Sequence, residues 1–149
     1  MAPGESLRLK TLRVLPRAGN RARGWLIAGP LRVACALGPK GIVRDKREGD
    51  GATPAGRFRL LWGYYRPDRR RPPAGGVPQQ PLRRDDDLYD LVFVLDHNFS
   101  RRAKGRGSAI FFHLARPDLT STAGCVAISA ADMRKLAPRL ARRAEMWIG

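Results

Sequence analysis

A histidine and a cysteine in the C-terminal third of this 149-residue sequence are the residue types that nucleophilic catalysis needs. His113 lies near the end of an apolar run, residues 109–114, that predicts a buried strand. Cys125 follows Gly124 and immediately precedes a second short apolar run, residues 126–128. One polar loop joins the two predicted strands, so imidazole and thiol can meet. Because a free thiol has a pKa near ~8.5, a neighbouring imidazole that takes its proton creates the reactive thiolate.

Two further expectations follow from this pair. If a protonated His113 lies beside the sulfur, the pKa of Cys125 should fall below that of a free thiol. Gly124 has no Cβ, which would let a substrate carbonyl approach the backbone next to the nucleophile.

The second cysteine and the second histidine occur in different settings. Cys35 lies within the apolar run 31–37, which is typical of a small buried hydrophobic residue, and we expect both cysteines to be reduced. His97 follows a predicted strand, where a histidine is commonly a hydrogen-bonded structural residue but is also a candidate to line the same cleft. The paired spacings of a closed zinc site are missing, so we expect no metal and no cofactor.

The elements that must position these residues are mostly short strands. Residues 7–15 alternate in hydrophobicity, residues 25–28 and 31–37 flank Gly29-Pro30 as a hairpin, and apolar runs occupy residues 58–65 and 88–95. Residues 17–24 are expected to form a basic loop, 44–50 a solvated loop or substrate-facing rim, and 66–87 a long loop rich in proline and arginine.

One helix is predicted in the C-terminal half. Ser129 and Asp132 form a variant of a capping box, and apolar residues recur on one helical face, which favours a helix from Ser129 to about residue 143. Pro138 should kink or break this helix, and residues 145–148 can form a last short strand. The sequence therefore predicts one mainly β domain over residues 1–149.

The composition is strongly basic. Lysine and arginine number 29 against 13 aspartates and glutamates, which gives a formal net charge of +16. Such a charge attracts nucleic acid, carboxylate-rich peptides and anionic lipid head groups. Residues 1–20 show no signal-peptide pattern, and no stretch is apolar enough to span a membrane. As the sequence stands we expect a cytoplasmic protein, although a role in wall cross-linking would require export to the cell envelope.

Two motifs resemble those of a known family. Thr122-Ala123-Gly124-Cys125-Val126 resembles the Ser-x-Gly-Cys-Ile/Val signature of the L,D-transpeptidase (YkuD-type) catalytic domain, with His113 at the position of its upstream histidine. Residues 50–58 contain Thr-Pro-Ala-Gly-Arg-Phe, which looks like that family's Thr-Pro-x-Gly-x-Phe segment. The resemblance spans residues 31–148 and departs at Ala127, where the family usually has an arginine that is thought to help hold substrate.

The resemblance implies a β-sandwich and acyl transfer on peptidoglycan stem peptides. Cys125 would attack the carbonyl that precedes the terminal D-alanine, His113 would exchange protons, and backbone N–H groups of Cys125 and of the 122–124 loop would stabilise the oxyanion. Gly124 would belong to the catalytic turn, and carbapenem-type inhibitors would acylate the cysteine. We expect a monomer. The candidate substrate-binding residues are Thr122, Ala123, Arg116 and His97.

Three other functions stay open at this point. Water in place of a second amine would make the chain an L,D-carboxypeptidase that trims muropeptides. A cysteine peptidase or amidase fits less well, because histidine precedes cysteine and the Thr-Pro-Ala-Gly-Arg-Phe segment is present. A basic nucleic-acid-binding domain would explain the charge but would leave His113 and Cys125 unused, and no nucleic-acid-recognition motif is evident, so we expect no specific nucleic acid partner.

Overall fold

Short strands form most of the chain, which a computed structural model describes for residues 8–65, 75–81, 91–97 and 110–149. Eleven strands and one α-helix lie within these ranges. The strands are β1 Leu9–Arg17, β2 Asn20–Ala28, β3 Leu31–Ala36, β4 Ile42–Val43, β5 Thr53–Pro54, β6 Gly56–Tyr65, β7 Gln79–Pro81, β8 Leu91–Leu95, β9 Phe111–Leu114, β10 Val126–Ile128 and β11 Leu140–Ile148. Helix α1 spans Ala130–Leu136 and continues into a 3₁₀ turn, Ala137–Arg139.

Eight of the strands close into a barrel-like sheet. Their order is β11-β1-β2-β3-β10-β9-β8-β6, and β6 pairs back with β11. β7 extends the sheet beside β6, and β4 and β5 form a separate parallel pair. The mainly β class with one short helix is confirmed. The β-sandwich implied by the resemblance is not confirmed, because these strands form one continuous ladder that returns to its first member.

The core lies inside this ladder. Phe93 of β8 and Phe112 of β9 stack there with ring centroids 5.9 Å apart. Every strand of the barrel contributes alternate residues to the same cluster, as expected from the two-residue period of a strand. Its members include Leu12, Val14, Leu26, Ala28, Cys35, Leu60, Leu95, Val126, Ile128, Met146 and Ile148.

The C-terminal helix is shorter than predicted. The hydroxyl of Ser129 accepts a hydrogen bond from the N–H of Asp132 at 3.1 Å, so the predicted cap is present. The helix ends at Leu136, however, and Pro138 lies in the 3₁₀ turn that follows, so the extension to residue 143 was wrong. The last strand begins at Leu140 instead, and pairs with both β1 and β6.

Other predicted elements hold with changed limits. The hairpin around Gly29-Pro30 is confirmed, since Ala28 pairs with Leu31. The predicted basic loop 17–24 was largely wrong, because β2 already begins at Asn20. Within the predicted loop 66–87 the structure describes residues 75–81, which contain β7, and the other residues of that loop lie outside the described ranges. No helix among the described residues is long and apolar enough to cross a membrane.

Candidate active site

The pairing of β9 with β10 determines where the histidine and the cysteine lie. The two strands are parallel, with Phe112 opposite Val126 and His113 opposite Ala127. Phe112 and Val126 belong to the core, so His113 and Ala127 are on the outer face, together with Cys125 two residues before Ala127. Spacings of ~4.8 Å between strands and ~3.3 Å per residue place the Cα atoms of His113 and Cys125 about 8 Å apart. Side chains on one face can meet across that separation.

A cavity of about 280 Å³ opens on this face. Its walls come from the end of β9, the start of β10 and the loop between them. The described residues that line it are His113, Leu114, Ala115, Arg116, Thr120, Ser121, Thr122, Ala123, Cys125 and Ala127. The structure therefore brings five of the seven predicted site residues to one cavity, and Gly124 lies between two of them.

The environment of His113 favours the neutral imidazole. Its neighbours across the sheet are Val92 on β8 and Ala127 on β10, both apolar and buried. Burial lowers the pKa of His113, and a hydrogen bond between Nδ1 and the carbonyl of Leu114, at 2.8 Å, opposes that shift. Because a carbonyl only accepts, Nδ1 carries the hydrogen and the neutral ring has its lone pair on Nε2. Nε2 is thus the basic nitrogen.

The thiol of Cys125 is also kept neutral at rest. Burial raises its pKa, while the backbone N–H of Phe111 and the positive charge of Lys46 act in the opposite direction. The lowered thiol pKa expected from the sequence was therefore wrong, because desolvation outweighs the charges near the sulfur. At rest the two groups are therefore a neutral thiol and a neutral imidazole.

The loop between the two strands is fixed by its own hydrogen bonds. The hydroxyl of Thr122 donates to the carbonyl of Cys125 at 2.6 Å and accepts the N–H of Gly124 at 3.0 Å. The N–H of Thr122 donates to the carbonyl of Leu37 at 2.9 Å, which ties the loop to the end of β3. Thr122 lines the cavity, but its hydroxyl already makes the hydrogen bonds that hold the turn before Cys125.

Gly124 is required by the chain's own packing. Its φ of +134° lies in the region that favours glycine, and an added Cβ would be 2.6 Å from the carbonyl oxygen of Ala52. From the sequence this space was expected to admit a substrate carbonyl, whereas in the structure the carbonyl of Ala52 occupies it. Residues just before β5 thus press against the turn that carries Cys125.

Comparisons with known proteins show the family to which this chain belongs. Residues 8–148 match the family model of YkuD, the L,D-transpeptidase catalytic domain. The chain belongs to this family. The solved structure of Bdellovibrio bacteriovorus Bd1075 is similar, with a TM-score of 0.56 and 19% sequence identity over 97% of this chain and 49% of that one. At this identity the similarity shows the fold alone, and this chain spans about half the length of that relative. No curated protein sequence matches this chain significantly.

Two residues of this L,D-transpeptidase-family domain lie away from the cavity: His97, which was a predicted site residue, and Cys35, which was predicted to be buried in the core. The ring of His97 packs edge-on against Phe58, with centroids 5.6 Å apart, and His97 is not among the described residues that line the cavity. Cys35 is fully buried in the core, and burial raises the pKa of its thiol to about 12, which makes it unreactive. Both cysteines are free, as predicted.

The packing of residues 44–54 beside Gly124 was not predicted from the sequence. Residues 44–50 were expected to form a solvated loop or a substrate-facing rim, and most of them are exposed, but Lys46 is buried and paired with Asp50. The hydroxyl of Thr53 accepts the N–H of Gly38 at 2.9 Å, which holds this segment beside the end of β3. The spacing of Lys46 and Asp50, four residues apart, was the available signal, but spacing alone does not reveal burial.

A larger cavity, of about 720 Å³, lies elsewhere on the domain. Arg17, Arg21 and Lys40 line it together with glycines such as Gly19 and Gly41. Its lining contains neither a thiol nor an imidazole. Of these two cavities, the smaller one is therefore the one that contains both the thiol and the imidazole. Within the described residues, no group of three histidine, cysteine, aspartate or glutamate side chains could hold a metal ion.

Proposed function

We propose that this domain transfers acyl groups between peptidoglycan stem peptides through a thioester on Cys125. The observation that carries the proposal is the cavity in which Cys125 and His113 share one face of adjacent parallel strands. The family to which the chain belongs acts on peptidoglycan. Thiol, basic nitrogen and an open cleft are the parts that nucleophilic acyl transfer requires.

The first half of the reaction forms the acyl-enzyme. The proton of the Cys125 thiol moves to Nε2 of His113, and the thiolate attacks the carbonyl of the diaminopimelate residue that precedes the terminal D-alanine. The C–N bond then breaks, imidazolium protonates the leaving amine, and D-alanine departs. The lowered pKa of His113 suits this second role, because its imidazolium gives up the proton readily.

The hydrogen bonds of the loop narrow the choice of oxyanion donors. The N–H of Thr122 is committed to Leu37 and the N–H of Gly124 to the hydroxyl of Thr122. This leaves the N–H groups of Cys125 and Ala123 for the oxyanion of the tetrahedral intermediate. Arg116, exposed at the edge of the cavity, is suited to attract a substrate carboxylate.

The second half of the reaction determines the product. A side-chain amine of a second stem peptide attacks the thioester, forms the cross-link and returns the proton to regenerate the thiol. Water in that place would release a shortened tripeptide, which is the activity of an L,D-carboxypeptidase. We propose the cross-linking reaction as the function and treat hydrolysis as the alternative outcome.

Mass spectrometry of the products formed from a purified tetrapeptide muropeptide tests the proposal. We expect a cross-linked dimer from the wild type and from Cys35→Ala, and none from Cys125→Ala, which lacks the nucleophile. Cys35→Ala is the matched control, because it removes the other thiol. Tripeptide as the only product would favour the hydrolase, and turnover by Cys125→Ala would contradict the mechanism. A carbapenem mass adduct on Cys125 gives a parallel readout.

A further inference from the structure

The chain keeps a cation inside the fold beside the active site. Among the residues that the structure describes, Lys46 is the one charged residue that is buried, with 6% of its surface exposed. Its ammonium group donates to Oδ1 of Asp50 at 2.5 Å and to the carbonyl of Arg47 at 2.9 Å. Burying a charge is costly unless it is paired and hydrogen-bonded, and here both conditions are met.

A short series of contacts connects this ion pair to the nucleophile. The carboxylate of Asp50 also accepts the N–H groups of Arg47, at 2.8 Å, and Ala52, at 2.9 Å, so the pair has one fixed position. Burial raises the pKa of Asp50, but these hydrogen bonds prevail and lower it to about 2, which keeps the carboxylate ionised. The carbonyl of Ala52 in turn packs against Gly124, the residue before Cys125.

Among the described residues, the charged and titratable groups around Cys125 come from three elements. His113 on β9 and Arg116 in the loop that follows line the same cavity as Cys125, and Lys46 with its partner Asp50 lies in the segment before β5, which packs through Ala52 against Gly124. Arg116 is exposed, so solvent screens its charge. Position 127 holds alanine and contributes no charge. Among the described residues, the ammonium of Lys46 is a fixed, buried positive charge in the segment that packs against the turn of Cys125, and it lowers the pKa of Cys125 against the effect of burial.

We propose that Lys46, held by Asp50 behind the turn of Gly124 and Cys125, is the fixed cation that stabilises the thiolate form of Cys125. In the step concerned, the S–H bond breaks and the proton moves to Nε2 of His113, which leaves a thiolate and an imidazolium. Lys46 takes no part in the transfer. Its charge is in place before the thiolate forms, so no reorganisation is needed. This inference rests on the proposed function, in which Cys125 is the nucleophile.

The rate of Cys125 alkylation by iodoacetamide, followed across pH by mass spectrometry of the peptide that contains Cys125, tests this role. Lys46→Met/Asp50→Asn removes the ion pair at constant net charge. We expect its alkylation profile to move to higher pH, with a rate about tenfold lower at neutral pH, since one pKa unit is a tenfold change in thiolate. Lys46→Arg should retain most of the wild-type profile. Lys135→Met, on the exposed side of α1, removes one solvent-exposed positive charge that does not line the cavity, and it should leave the profile unchanged.

The outcomes separate a charge effect from a structural one. A folded double variant, checked by circular dichroism, whose profile overlays that of the wild type would overturn the proposal. If the double variant does not fold, Asp50→Asn decides, because it keeps the ammonium without its carboxylate. Its profile should move to lower pH or stay in place, and a move to higher pH would overturn the proposal. Alkylation needs no muropeptide, so failure of the proposed function leaves this measurement intact.

Discussion

At the scale of single residues, the protonation states of His113 and Cys125 should set the pH range of the proposed reaction. Burial lowers the pKa of the imidazole and raises that of the thiol, so both groups are neutral over the range between these two values. A neutral pair requires the proton to move as the thiolate attacks, and the imidazole must be unprotonated to receive it. The buried setting thus keeps the base ready in mildly acidic solution.

The acid limb of the pH profile is therefore expected below the usual histidine range. The folded pKa of His113 lies under 6.5, so the fraction of neutral base, and with it kcat/KM, should fall only when the pH drops below that value. His113→Gln should reduce kcat/KM by about 10²–10⁴-fold, because the general base is lost. His97→Gln is the matched control and should keep the acid limb. A wild-type acid limb centred above pH 6.5 would contradict the desolvated imidazole.

At the scale of elements, stability and turnover should depend on the contact between Ala52 and Gly124, the residue before Cys125. Gly124→Ala would place a Cβ against the carbonyl of Ala52 and in a backbone region that alanine disfavours. We expect it to cost about 1–3 kcal/mol of stability and to abolish turnover by displacing Cys125. Gly19→Ala offers a control, because Gly19 also has a positive φ but nothing lies within 4 Å of an added Cβ. Unfolding and turnover measurements on the two variants separate the effect of backbone strain, which both share, from the effect of the clash with Ala52, which only Gly124→Ala has. An active Gly124→Ala would show that the close contact with Ala52 is not required.

A second prediction at this scale concerns the last strand, β11. β11 closes the barrel by pairing with β1 and β6, and Met146 is fully buried in its core-facing row. Met146→Ala should lower the free energy of unfolding by about 2–5 kcal/mol, since it leaves a cavity between two sides of the barrel. Arg143→Ala, exposed on the same strand, should change it by under ~0.5 kcal/mol. Urea unfolding followed by tryptophan fluorescence gives both values, and equal values would argue against a shared core.

The sequence predicted an element correctly where the local pattern was sufficient, and failed where the element depends on pairing with strands that are distant in the sequence. β10 was located at its observed limits, because Val126 to Ile128 is a short apolar run with clear flanking residues. Residues 140–143 were assigned to the helix, since Leu140 continues the helical spacing of Met133 and Leu136. What makes them a strand is pairing with β1 and β6, which lie far away in the sequence. Local pattern does not contain that information.

The residues of the candidate site show the same difference between local and distant information. His113, Cys125 and the loop between them were predicted because one stretch of sequence carries them. The burial of Lys46 was not predicted, because a charged run is ordinarily solvated and because the segment that carries Lys46 packs through Ala52 against Gly124, which is distant in the sequence. His97 was placed at a strand end, as observed, but the direction of its ring toward Phe58 depends on β6. Contacts between distant segments, rather than residue types, account for the errors.

At the scale of the whole molecule, the net charge of +16 should govern binding to polyanions without conferring sequence recognition. Any association with random-sequence DNA should weaken steeply as salt is raised, because counterion release drives it. Cys125→Ala leaves the net charge unchanged, so it should bind DNA like the wild type while losing turnover. Filter binding at several salt concentrations, with two unrelated duplexes, measures the salt dependence and the sequence dependence of DNA binding. A sequence-selective complex that persists at high salt would instead make nucleic acid recognition the primary function, because the electrostatic term alone reads no bases.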